Sequence, residues 1–145
     1  MKLKIVIDEA CEEEVIIYAK KKSELIDKIE QLVIGSSLEL LGYLNKEVIK
    51  IKVQDVYCFI AEDSKVYAIT KNDKVLLKYR LYNLEELLDE SFVKINQSCI
   101  ANINKIAKFD TSISGTLKVV FKNNYSDYVS RRMLKNIKEK VGLNR

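Results

Sequence analysis

Two short stretches bring together side chains that can do recognition chemistry. In "FVKINQSCIANINKI" (Phe92 to Ile106), the amides and hydroxyl of Asn96, Gln97 and Ser98 interrupt an otherwise apolar run. Amides offer a donor and an acceptor side by side, a pairing suited to base edges and to adenine above all, while Ser and Lys suit phosphate. The same residue types also close Asx and Ser turns on their own backbone, so the cluster by itself leaves a structural and a binding role both open. The second stretch is "RRMLKNIKEKVGLNR" (Arg131 to Arg145), with six basic residues and one acid. It should attract polyanions, although lysines near a helix C-terminus also serve the helix dipole.

Other chemistry is poorly provided for. The chain has no histidine, which removes Ser-His and Cys-His nucleophiles and the commonest general acid and base. Carboxylate or lysine chemistry stays formally open, but no catalytic constellation is visible and no enzyme is expected. Cys11, Cys58 and Cys99 are far apart with no CxxC pair, so free thiols in a reducing compartment and no metal site are expected. The four glycines, at 35, 42, 115 and 142, build neither a GxGxxG nor a GxxxxGKS cradle, and no cofactor is expected. The acidic runs "CEEEV" and "EELLDE" read as solvated faces or turns.

The elements that must position these residues follow from length, charge and periodicity. A chain of 145 residues with 48% hydrophobic content suits one ordinary domain with an appendage. Its longest apolar runs are far short of the roughly 20 residues of a spanning helix, and Met1 opens no signal-peptide pattern, so a soluble cytoplasmic protein is expected. Charge divides unevenly. Met1 to Leu44 holds 6 Lys against 9 acids, net −3, whereas Asn45 to Arg145 holds 19 basic residues against 12 acids, net +7.

The first part reads as β-β-α: strands at Lys2 to Ile7 and Glu14 to Ala19, then a helix from Lys22 that stops at Gly35. From there the period falls to two, predicting strands at Val48 to Val53, Val56 to Ala61, Lys65 to Thr70 and Lys74 to Tyr79, with hairpin turns at "EDS" and "KND". A short helix is predicted over Leu81 to Leu88. The quoted stretch then reads as strand, polar loop at Asn96 to Ser98, and a second apolar segment. Leu117 to Ser130 reads as a hairpin around Asn123 and Asn124, followed by a helix over Arg131 to Val141 capped by Gly142. The fold class is therefore mainly β with flanking helices (α+β): a compact antiparallel β fold with a C-terminal helix, preceded by a short β-β-α leader. No helix-turn-helix is recognisable.

Three blocks in this order, "EVIKIKVQDVYCFIAEDSKVYAIT", "YRLYNLEELLDESFVKINQSCIANINKIAKF" and "GTLKVVFKNNYSDYVSRRMLKNIKEKVG", resemble the LytTR-type DNA-binding domain of bacterial transcription regulators. The patterns F-x-x-I-x-x-S-x-x-A-N-x-x-x-I (Phe92 to Ile106) and V-S-R-R (Val129 to Arg132) carry most of the likeness. The resemblance covers about Leu44 to Leu143. It implies a fold of short sheets that meets double-stranded DNA through loops, and by position it assigns Ser64, Lys65, Asn96, Gln97, Ser98, Arg131, Arg132 and Lys135 to the DNA side. Arg132 is the leading candidate for reading a base, since a guanidinium can pair with guanine O6 and N7, and Gln97 is the second. Lys65, Arg131 and Lys135 would hold phosphate. Asn102, inside the apolar "IANI", is expected to bond internally.

The resemblance further implies residues 1–43 as an acidic leader and 44–145 as the DNA-binding domain, without room for a receiver domain. The leader could be a packing extension, a homodimer surface or a ligand sensor. A homodimer on repeated sites is expected, because two weak modules on one duplex gain affinity through effective concentration. The competing reading is a protein-protein interaction module whose acidic leader and basic body are matching surfaces.

Overall fold

A computed structural model of the chain describes residues 1–34 and 38–143. Two compact units result, Met1–Gly35 and Ser36–Arg145. In the first, helix α1 (Glu24–Ile34) begins after Ser23, whose Oγ accepts from Ile26 N at 3.4 Å. Lys22 reaches Asp27 and Glu30 at 3.4 and 3.1 Å. The segments read as strands at 2–7 and 14–19 form none; the chain makes only a turn between them, with Cys11 N donating to Asp8 O at 3.3 Å. Alternation of apolar residues groups side chains on a face, but a strand also needs a ladder partner, and these two segments do not supply one to each other. The helix stop read at Gly35 lies outside the described residues.

The second unit is built on a seven-stranded antiparallel sheet in the order β2-β1-β5-β4-β3-β7-β6. Its strands are β1 (Glu39–Leu44), β2 (Glu47–Lys52), β3 (Cys58–Glu62), β4 (Lys65–Ile69), β5 (Lys74–Leu77), β6 (Phe92–Asn96) and β7 (Cys99–Asn102). Helix α2 (Leu81–Leu87) connects β5 to β6. A second sheet has the order β10-β9-β8, from β8 (Ile106–Asp110), β9 (Leu117–Phe121) and β10 (Ser126–Val129), and helix α3 (Arg131–Val141) follows at once. Strands β1 and β8 escaped the sequence reading. The unit's sheet thus begins at Glu39, ahead of the boundary drawn at Leu44. "EDS" makes a two-residue turn with Asp63 and Ser64 at φ 50° and 62°, and Asn45 and Lys46 do the same between β1 and β2. Both are primed turns, whose twist matches the strands they join.

The large sheet has a core on each face. On one side Cys58, Ile60, Val93 and Ile95 meet Val119 and Phe121 of the small sheet and Ile137 of α3. On the other, Phe59, Ile100 and Phe92 pack with Leu84 of α2 and with Leu40, Val75 and Leu77. Neighbouring residues of β3 and β7 thus serve opposite cores, which fixes their register, since a one-residue slip would exchange the two faces. All members of both cores lie at Leu38 or beyond.

Candidate nucleic-acid interface

Helix α3 is held by its apolar side. Ile137 is buried, and Met133, Leu134 and Val141 pack beside it on the same core, a spacing that keeps one face of the helix inward. Arg131, Arg132 and Lys135 are left exposed. The helix ends as the sequence implies, with Gly142 left-handed at φ 80° and Leu143 N donating to Lys138 O at 2.8 Å. Lys138 and Lys140 in the last turn suit the dipole there. Arg131 and Arg132 occupy the opposite end, where the dipole is positive and opposes a cation. No acid stands in that first turn, and among the described residues no ion pair engages either arginine, Lys135 or Lys65.

The start of α3 is fastened to the "INQS" turn by two hydrogen bonds. Ser130 N donates to Ile95 O at 2.9 Å, and Asn96 Nδ2 donates to Tyr128 O at 2.8 Å. Asn96 Oδ1 in turn accepts from Ser98 N at 2.8 Å, closing an Asx turn that leaves Gln97 and Ser98 exposed. The third loop joins through Ser98 O, which accepts from Ala61 N at 2.9 Å at the foot of the β3-β4 hairpin. Ser64 and Lys65 are exposed at its tip, and Glu62, the register partner of Lys65, also ion-pairs with Lys74.

All three segments singled out in the sequence are therefore linked by backbone and amide bonds. Within them, both polar ends of the Asn96 side chain are already engaged, so this residue shapes the turn while Gln97 and Ser98 remain available. Asn102 is 2% exposed. Its Nδ2 donates to Val56 O at 2.9 Å and to Gln54 O at 3.3 Å, and its Oδ1 accepts from Asn104 N at 3.1 Å, the internal role expected for it. The sequence reading passed over Tyr128, which is half-exposed beside Asn96, and Lys118, whose Nζ lies 5.9 Å from the centre of the Tyr128 ring. An aromatic residue three positions ahead of an arginine pair was the available signal.

Comparison with known proteins bears on the fold and the family. The profile of the LytTr DNA-binding domain matches residues 46–142. A protein of Staphylococcus aureus (strain MSSA476), named as an HTH-type transcriptional regulator, is 36% identical over 146 residues, spanning 99% of both chains. Its counterpart in strain MRSA252 is 37% identical over 129 residues, or 88% of each chain. A solved LytTr DNA-binding domain from Bacillus cereus has the same fold, with a TM-score of 0.67 at 23% identity, covering 72% of this chain and 96% of that one. Despite the relatives' name, no two helices are joined by a short turn among the described residues, and each helix is separated from the next by strands. On the profile match and the full-length relatives together, the chain belongs to the LytTr DNA-binding domain family.

Proposed function

We propose that the protein is a sequence-specific transcription regulator that grips double-stranded DNA with the surface made by the β3-β4 hairpin tip, the Gln97-Ser98 turn and the start of α3. One observation carries the reading: among the described residues no ion pair engages Arg131 or Arg132, which stand at the end of α3 where its dipole disfavours them. Such a placement costs stability unless an anion completes it, and the DNA backbone is an anion that runs along a surface of this breadth. Arg132 reads a base, most suitably guanine, and Gln97 reads a second position. Ser64, Lys65, Ser98, Arg131 and Lys135 hold phosphates and set the register, with Asn96 shaping the turn between them. The basic body carries this assignment, and of residues 1–43 drawn as its leader those ahead of Glu39, where β1 begins, are the part outside its sheet. No helix among the described residues is long and apolar enough to cross a membrane, and the protein acts in the cytoplasm, where bacterial DNA is. Two copies bind a repeated site.

Selection from a randomised duplex library tests this. Parent protein should enrich a spaced, repeated motif. Arg132→Ala should lose discrimination among duplexes, by about 1–3 kcal/mol at one position, while Lys135→Ala should weaken all duplexes alike and lower the salt slope by about 1. An intact Arg132→Ala protein that separates specific from random duplex as well as the parent refutes the assigned role. A folded parent that enriches nothing would favour the interaction module instead.

A further inference from the structure

Strand β10 sends consecutive side chains to opposite sides of the small sheet. Val129 is buried in the core, whereas Tyr128 lies on the outer face and is 47% exposed. Its register partner on β9 is Lys118, so the two side chains share that face, and the Lys118 Nζ lies 5.9 Å from the centre of the Tyr128 ring. An ammonium at the limit of the ring's attraction, in water, contributes little to stability. Neither polar end is consumed by the fold.

The acid opposite Lys118 is engaged elsewhere. Asp110 of β8 closes its own turn, its Oδ1 accepting from Ser112 N at 2.9 Å. Ser112 above all, with Lys118 and Lys108 acting from farther off, holds this carboxyl below its usual pKa. Among the described residues no ion pair engages Lys118. The main chain of the same tyrosine is tied to the proposed interface: Tyr128 O accepts from Asn96 Nδ2 at 2.8 Å, and α3 begins with Arg131 three positions on.

We infer that Tyr128 and Lys118 form a further contact with DNA, holding one phosphodiester beside the bases met by the start of α3 and so fixing the register of that helix on the duplex. This rests on the proposed function and adds to it a contact that reads no sequence. The ammonium supplies charge, the phenol O–H a donor, and the ring a flat surface for the adjoining sugar; both residue types hold DNA backbone. Lysine is a point charge without a planar fork, which suits it to phosphate more than to a base edge.

The test uses the full chain and the duplex motif it enriches, with each phosphate in turn replaced by a neutral methylphosphonate. At the contacted phosphate, parent protein should lose affinity on the order of tenfold. In Lys118→Met that replacement should have little further effect while the other positions keep theirs, and the salt slope should fall by about 1. Lys118→Arg should restore the slope. Tyr128→Phe, which keeps the ring and every charge, should weaken binding about threefold to tenfold at unchanged slope. Neither is a core position, so the thermal transition should stay within about 4 °C of the parent's. If Arg132→Ala loses discrimination while Lys118→Met and Tyr128→Phe bind as the parent does, this inference fails and the proposed function stands. A Lys118→Met protein that keeps every methylphosphonate loss also overturns it. A folded parent that enriches no motif overturns both.

Discussion

Asn102 offers a quantitative test of how the β7 strand is locked. Its side chain makes one well-formed and one longer hydrogen bond to the carbonyls of Val56 and Gln54, and it receives Asn104 N, all at 2% exposure. Replacing it by alanine removes these bonds, at a net ~0.5–1.5 kcal/mol each, and takes this donor from the buried Val56 carbonyl. With allowance for the longer bond, Asn102→Ala should cost about 2–4 kcal/mol. For a body of this size that is a fall in Tm of roughly 9–18 °C. Asn102→Asp keeps the shape and the acceptor for Asn104 N, but it turns an oxygen toward two carbonyls. The introduced carboxyl should favour its protonated form, whose O–H can donate to Val56 O. A group whose folded pKa is raised contributes its stability below its unfolded pKa and loses it as pH rises. Asn102→Asp should therefore be closer to the parent at pH 4 than at pH 8. Urea unfolding followed by circular dichroism at the two pH values measures both effects. A loss below about 1 kcal/mol for Asn102→Ala, or lost DNA binding at unchanged stability, would refute the internal role.

Two further outcomes follow from the packing. A Cβ on Gly42 would sit 2.2 Å from Val75 Cγ1, so Gly42→Ala should destabilise by about 1–3 kcal/mol, and Val75→Ala in the same chain should recover part of it, as a denaturation cycle would show. Cys99 is a buried free thiol, and its neighbour Cys58 first, then burial, raises its pKa. Stability should then be intact below the unfolded thiol range and decline as pH climbs past about 9, at up to ~1.4 kcal/mol per pH unit, where the unfolded Cys99 thiol ionises and the native one does not. Native thiol titration should find one reactive group, Cys11, and three after unfolding.

Much of the body was legible because its hairpins announce themselves. The apolar runs of β3 and β4, bounded by the polar residues between them, mark a hairpin that the Asp63-Ser64 turn realises. Strand β1 was passed over because Leu40, Leu41, Tyr43 and Leu44 are all apolar although Leu41 and Tyr43 are 52% and 37% exposed, so no alternation is visible. Strand β8 is short and carries a register shift between Ile106 and Lys108 that breaks its period. In the leader the failure is the opposite one, a clear alternation without a partner strand. The candidate interface was legible residue by residue through family resemblance, but its assembly was not. The bonds from Ala61 to Ser98 and from Ser130 to Ile95 join segments more than thirty positions apart, and local pattern holds no trace of them.

The bond from Ala61 N to Ser98 O and the Asx turn closed by Asn96 leave no slack in the Gln97-Ser98 turn. Inserting one residue there would break both, and with them the tie to Tyr128, whereas exchanging Gln97 touches none. Loop length is thereby frozen while side-chain identity is free. On the proposed function, descendants of such a regulator would acquire new operators by substitution at Gln97 and Arg132, not by remodelling of loops. Divergence between paralogues should accordingly be concentrated in a few letters of an otherwise unaltered frame.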